Sequence, residues 1–141
     1  MTTADEMKSI ARTEFEEVFS KGRIELLDEI LGDEYVCHDP ALPEPVRGRE
    51  GLRAAVLGFR TAMPDLHFAV HQQVAEGDRV VTQWTATGTH TGELMGVAGT
   101  GRRVTMAGVD IERFEGDRIV EVWALWDGLG VYRQITGPST D

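Results

Sequence analysis

The sequence predicts an α+β domain in which three N-terminal helices pack on the concave face of a curved antiparallel sheet. Two patterns carry this. Apolar residues recur at spacings of three and four as far as Met63, and beyond Pro64 the period drops to two. Gly88 and Gly108, inside expected strands, supply places for the sheet to bend. A bent sheet closed by helices is a cone, and its mouth is where a ligand enters.

The first helix rests on Met7, Ile10, Ala11, Phe15, Val18 and Phe19, which form one apolar stripe, with Thr2 or Thr3 as its cap. Gly22 offers a left-handed stop, and Ile24, Leu27, Ile30 and Leu31 repeat the pattern over a shorter helix that Gly32 ends. The stretch from Tyr35 to Glu50 holds Pro40, Pro43 and Pro45 and reads as an ordered loop, because each proline fixes its own φ and biases its predecessor away from helix. Leu52, Ala55, Val56, Phe59 and Met63 then give a third helix that Pro64 breaks.

Four strands follow. Phe68, Val70, Gln72 and Val74 alternate with His67, Ala69, His71 and Gln73 up to a turn at Gly77-Asp78. The β-branched run from Arg79 to His90 is the second strand, and a glycine-rich connection leads to the third, RVTMAGVDIERF. Across the Glu115-Gly116-Asp117 turn, RIVEVWALWD is the fourth. A short helix capped by Asp127 starts the tail, which frays from Gly137 to Asp141.

The 141 residues suit one domain, 1–141, with its core at about 7–136. Fourteen Lys and Arg against 24 Asp and Glu leave a net charge of −10, a surface that repels polyphosphate and anionic bilayers, so neither nucleic acid nor membrane is expected as a partner. No apolar run approaches the roughly 20 residues of a membrane span. The acidic, polar start and the single cysteine, Cys37, point to a cytoplasmic protein.

The string GTHTGELMGVAGTGRRV at 88–104, IERF at 111–114 and RIVEVWALWDGLG at 118–130 resemble the SnoaL-like polyketide cyclase family, as do HDPALPEPVRGREGL and MPDLHF upstream. The resemblance runs from about Met7 to Gly137. It implies the cone-shaped α+β barrel of the nuclear-transport-factor-2-like superfamily and a homodimer formed through the outer sheet face. It also implies ring closure by intramolecular aldol condensation with neither metal nor organic cofactor. The family's acid/base aspartate lies on the last strand in a pattern like W-D-x-W-D. Here the matching position is Ala124, and a methyl group moves no proton.

Asp110 is the leading candidate to take over that role. Alternation places it with Met106 and Gly108 on one strand face, and the resemblance turns that face to the cavity. In an apolar pocket desolvation favours a neutral carboxyl, which brings it toward the pH where it accepts and returns a proton. His38 precedes Pro40 in the proline-rich loop, where an imidazole at the rim polarises a carbonyl, while Asp39 reads as a turn residue bonding nearby amides. His90 either contacts substrate or fixes the glycine-rich connection. Trp84 and Trp126 are expected to hold a flat hydrophobic ligand. Trp123 lies on the opposite face to Trp126, and Phe59 and Met63 serve as pocket wall or core.

Other patterns lead elsewhere. The glycines at 96, 99 and 101 lack the Lys-Ser/Thr and helix of a phosphate loop. His67 and His71 stand at zinc-pair spacing on an alternating strand without the glutamate a metalloprotease requires, so no metal is expected. Cys37 reads as a small buried hydrophobe. Two classes of function remain: a cyclase or isomerase acting on a hydrophobic, polyketide-like carbonyl compound by proton transfer, and a non-catalytic ligand-binding or protein-interaction module of the same fold, which Ala124 favours.

Overall fold

The computed structural model describes residues 2–138. Helix α1 (Ala4–Thr13) is capped by Thr3, whose hydroxyl accepts from the Glu6 amide, and it runs on into a π-helical stretch, Glu14–Phe19. Gly22, at φ 74°, stops it as expected. A 3₁₀ turn, Ile24–Leu26, leads into the short α2 (Leu27–Ile30). The expected second helix therefore ends early. Leu31 opens strand β1 (Leu31–His38), whose last four residues take the start of the segment expected to be a loop. A two-residue strand, β2 (Val46–Arg47), folds back on it before α3 (Gly48–Ala62).

The four expected strands are present as β3 (His67–Glu76), β4 (Arg79–Thr89), β5 (Arg103–Glu115) and β6 (Arg118–Trp126). The six form one sheet in the order β2-β1-β6-β5-β4-β3. The expectation of a wholly antiparallel sheet needs one correction, because β1 lies parallel to β6. Helix α4 (Gly128–Thr136) begins at Asp127, whose carboxylate accepts from the Gly130 amide as a cap. Of the tail expected to fray, 139–141 lie outside the described residues, whereas the Gly137 carbonyl accepts from Arg102 at 2.7 Å.

Two apolar clusters fill the space between helices and sheet. One gathers Met7, Val18, Leu27, Leu31, Tyr35, Val56, Val80 and Val122. The other gathers Phe15, Met63, Leu66, Phe68, Trp84, Met106, Val131 and Ile135. Buried positions alternate along β4 and β5, so one face of the sheet is core. On β6 a bulge shifts the parity. Phe114 pairs with Ile119 while Arg113 pairs with Glu121, so Ile119 is buried and Val120 is not, against strict alternation. Among the described residues no helix is long and apolar enough to cross a membrane.

Candidate functional site

Asp110 sits on the buried face of β5, paired in register with Thr82 on β4 and Ala124 on β6. The methyl group of Ala124 therefore lies beside the Asp110 carboxyl, and both line a cavity of about 70 Å³. Trp84, Trp126 and Phe59 line it too, together with Phe19, Phe68 and Met106. Its remaining polar residue is Asp39, and among the described residues no basic side chain lines it.

Gly108 shapes this wall. It pairs with Trp84, and a Cβ at 108 would overlap the indole ring. The missing side chain lets Trp84 lie across β5 far enough for its Nε1–H to donate to Asp110 Oδ1 at 3.0 Å. On the other side, Trp126 Nε1–H donates to both Asp39 oxygens, at 3.1 and 2.9 Å. Asp39 Oδ1 also accepts from the Ala41 amide at 2.9 Å, the turn contact expected of it. Opposite the sheet, the Arg60 guanidinium of α3 donates to the carbonyls of Phe19 and Ser20, at 2.9 and 2.8 Å, tying the end of the first helix to α3. Phe19 and Phe59 thereby face the same space.

Burial pushes Asp110 up from an ordinary 3.8 to about 7; the Trp84 hydrogen bond opposes the shift and the charge of Asp39 adds to it. Two further carboxyls lie inside the cone. Glu112 follows Asp110 on the same face of β5, with one oxygen accepting from the Thr82 hydroxyl at 3.2 Å and Oε1 unpartnered. Glu14 enters from the helical side with Oε2 unpartnered. Burial foremost, then the charge of Asp110, raises Glu14 to about 8 and Glu112 to about 10. Burial likewise raises the neighbouring Tyr35 hydroxyl and lifts the Cys37 thiol to about 12. Among the described residues no His, Cys, Asp and Glu group is arranged to hold a metal ion.

The structure separates the other expected residues from this cavity. His38 lies on the outer sheet face, where its Nε2 meets Glu121 at 2.7 Å and its ring stacks on Trp123 with centroids 5.6 Å apart. His38 first, then Arg113, holds Glu121 below the ordinary carboxylate range. His38, Trp123, Leu125 and Ile111 border a shallow apolar groove there with the proline-rich loop, on the face where a homodimer contact was expected. His90 is wholly buried at the far end of β4. Its Nδ1 meets Thr100 Oγ1 at 2.9 Å and its Nε2 meets the Val97 carbonyl at 3.2 Å, so of its two readings the geometry serves the one that fixes the glycine-rich connection. Met63 is also fully buried, its side chain against Gly88, and belongs to the core.

Sequence reasoning passed over the cavity side of Asp39 and the interior positions of Glu14 and Glu112. For Glu112 the signal was present, since period two places it with Asp110. Asp39 likewise continues the parity of Leu31, Tyr35 and Cys37, the buried residues of β1.

The family model described as SnoaL-like polyketide cyclase matches residues 9–135. A candidate polyketide cyclase from Acidithiobacillus ferrooxidans is similar at 33% identity and a TM-score of 0.86, over 99% of this chain and 100% of that one. TsrD from Streptomyces laurentii is similar at 28% identity and a TM-score of 0.86, over 98% and 100%. IdmH, a candidate polyketide cyclase from Streptomyces antibioticus, is similar at 32% identity and a TM-score of 0.79, over 91% and 96%. Among curated proteins none matches the chain.

Proposed function

The chain belongs to the SnoaL-like polyketide cyclase family, and from that premise we propose that it closes or isomerises a hydrophobic carbonyl compound, with Asp110 as the group that takes and returns the proton. The observation that carries this reading is a buried carboxyl on the wall of an apolar cavity, beside Ala124, the position where the resemblance places the family's acid/base aspartate.

A carboxylate that desolvation has raised to about 7 is a stronger base than an ordinary aspartate and is still substantially ionised near neutrality. It removes a proton α to the carbonyl. The resulting enolate carbon attacks a second carbonyl of the same molecule, and the proton now on Asp110 passes to the new alkoxide, so the enzyme ends as it began. Trp84 orients the carboxyl through its indole N–H, and Trp126 is held by Asp39 as the facing aromatic wall. The cavity is smaller than the roughly 300–1,000 Å³ of pockets that enclose a drug-sized ligand, so it takes the reacting end of a substrate whose remainder projects through the mouth.

The test needs only the first step. Aryl ketones and 1,3-dicarbonyl compounds in deuterated water should exchange their α-protons in the presence of the protein, as read by NMR. Asp110→Asn should lower that rate about a hundredfold or more. An Asp110→Asn protein with full exchange activity would refute the assignment. Ala124 favours one rival, a binding module without turnover, and saturable quenching of indole fluorescence with no exchange would select it.

A further inference from the structure

We propose that the ligand of this cavity carries its own positive charge, a tertiary or quaternary ammonium close to the reacting carbon, seated against Trp84 and Trp126 with Asp110 and Asp39 as counter-charges. This rests on the cavity being the substrate site and specifies what that site selects.

Hydrogen-bond supply limits what the cavity can hold. The polar residues on the cavity wall are two carboxyls and two indoles. Both indole N–H groups are spent, Trp84 on Asp110 and Trp126 on Asp39. The wall therefore presents acceptors and aromatic surface, and among the described residues no lysine, arginine, histidine, tyrosine or hydroxyl donor lines it. A developing enolate needs a compensating positive charge or donor, since an unpaired charge is costly in an apolar site. The donor the wall then offers is the proton that Asp110 has just taken, and a positive charge is what only the substrate can bring to it.

Behind the wall lie two further carboxyls. Glu14 and Glu112, both more than nine-tenths buried, each leave a carboxyl oxygen unpartnered, and no Lys or Arg is buried among the described residues. Burial keeps both of these carboxyls protonated near neutrality, so the negative charge that a bound cation meets is that of Asp110 and Asp39. Five aromatic rings around two carboxyls form the setting in which an alkylated ammonium is bound through ring faces and charge. A cavity of about 70 Å³ accommodates a group of that kind and excludes a whole polycycle.

The test compares two probes of nearly the same shape, benzyltrimethylammonium and neutral neopentylbenzene. Trp123→Phe protein restricts the fluorescence to Trp84 and Trp126, since the chain has three tryptophans. The cation should bind about tenfold more tightly than its neutral counterpart. Its charge is fixed, so its affinity should rise as pH increases through about 7 and Asp110 ionises. The groups facing Asp110 are Asp39 beyond β1, Tyr35 and Cys37 on β1, Glu14 on the helical side and Glu112 on β5, none of them basic. Asp110→Asn and, separately, Asp39→Asn should each narrow the gap between the probes. Neutral neopentylbenzene binding as well as the cation would overturn the ammonium proposal and leave the cavity reading intact. If neither probe changes the fluorescence, both readings fall.

Discussion

At Asp110 and Ala124 the chemistry depends on which strand of a registered pair carries the carboxyl. The two residues face each other across β5 and β6, so a carboxyl on either strand reaches the same wall. Asp110 was legible because period two is local, and its face follows from four or five neighbours. The part played by Asp39 was not, because its partner Trp126 is 87 residues away and only the completed sheet joins them. One consequence belongs to this pair. The charge of Asp39 raises Asp110, so removing it should lower the Asp110 titration. The α-proton exchange rate of the wild-type protein should rise with pH through about 7 as the base ionises. In Asp39→Asn that rise should move to lower pH, and an unmoved inflection would show that the two carboxyls do not act on each other.

Among the elements, β1 is where sequence periodicity misleads. Leu27, Ile30 and Leu31 fit a helix stripe, yet Leu31 is the first residue of a strand whose parallel partner begins at Arg118. Pairing with a strand so distant in sequence overrides local preference, which is why the helix stops one residue early, at Ile30, and the proline-rich loop is shorter than expected. The same pairing carries His38 to the outer face, opposite Trp123, and away from the cavity. Strands β3 to β6 were legible because hairpin turns join β3 to β4 and β5 to β6, and alternation marks their faces. Gly108 is the position at which strand geometry and site geometry meet. Gly108→Ala would force the Trp84 ring off β5 and away from Asp110, and a Cβ there would also stand 2.9 Å from the Leu125 carbonyl. The expected cost is about 1–3 kcal/mol of stability, with a loss of exchange activity beyond what Gly88→Ala causes against the Met63 side chain. Thermal melts and exchange assays on the two variants make the comparison.

For the whole molecule, buried acids govern the response to pH. Glu14 and Glu112 hold their protons more tightly folded than unfolded, with folded values of about 8 and about 10 against an ordinary 4.5. Their contribution is complete below about 4.5 and is lost as pH rises through the folded values, by up to about 1.4 kcal/mol per carboxyl for each pH unit. Glu17, Asp65 and Glu121 lie below their ordinary range, so what they add is lost only on acidification. Melting temperature should therefore fall on the alkaline side, and Glu112→Gln should flatten that fall. An alkaline slope unchanged in the variant would remove Glu112 from the account.

The central claim is that the apolar interior of the cone makes Asp110 a proton-exchanging group near neutrality. Carbon-13 NMR titration of the aspartate carboxyls, with Asp110 assigned by its loss in Asp110→Asn, reads this without any knowledge of the substrate. The account predicts a midpoint near 7 for Asp110. A midpoint at the ordinary 3.8 would place the carboxyl in water and contradict it.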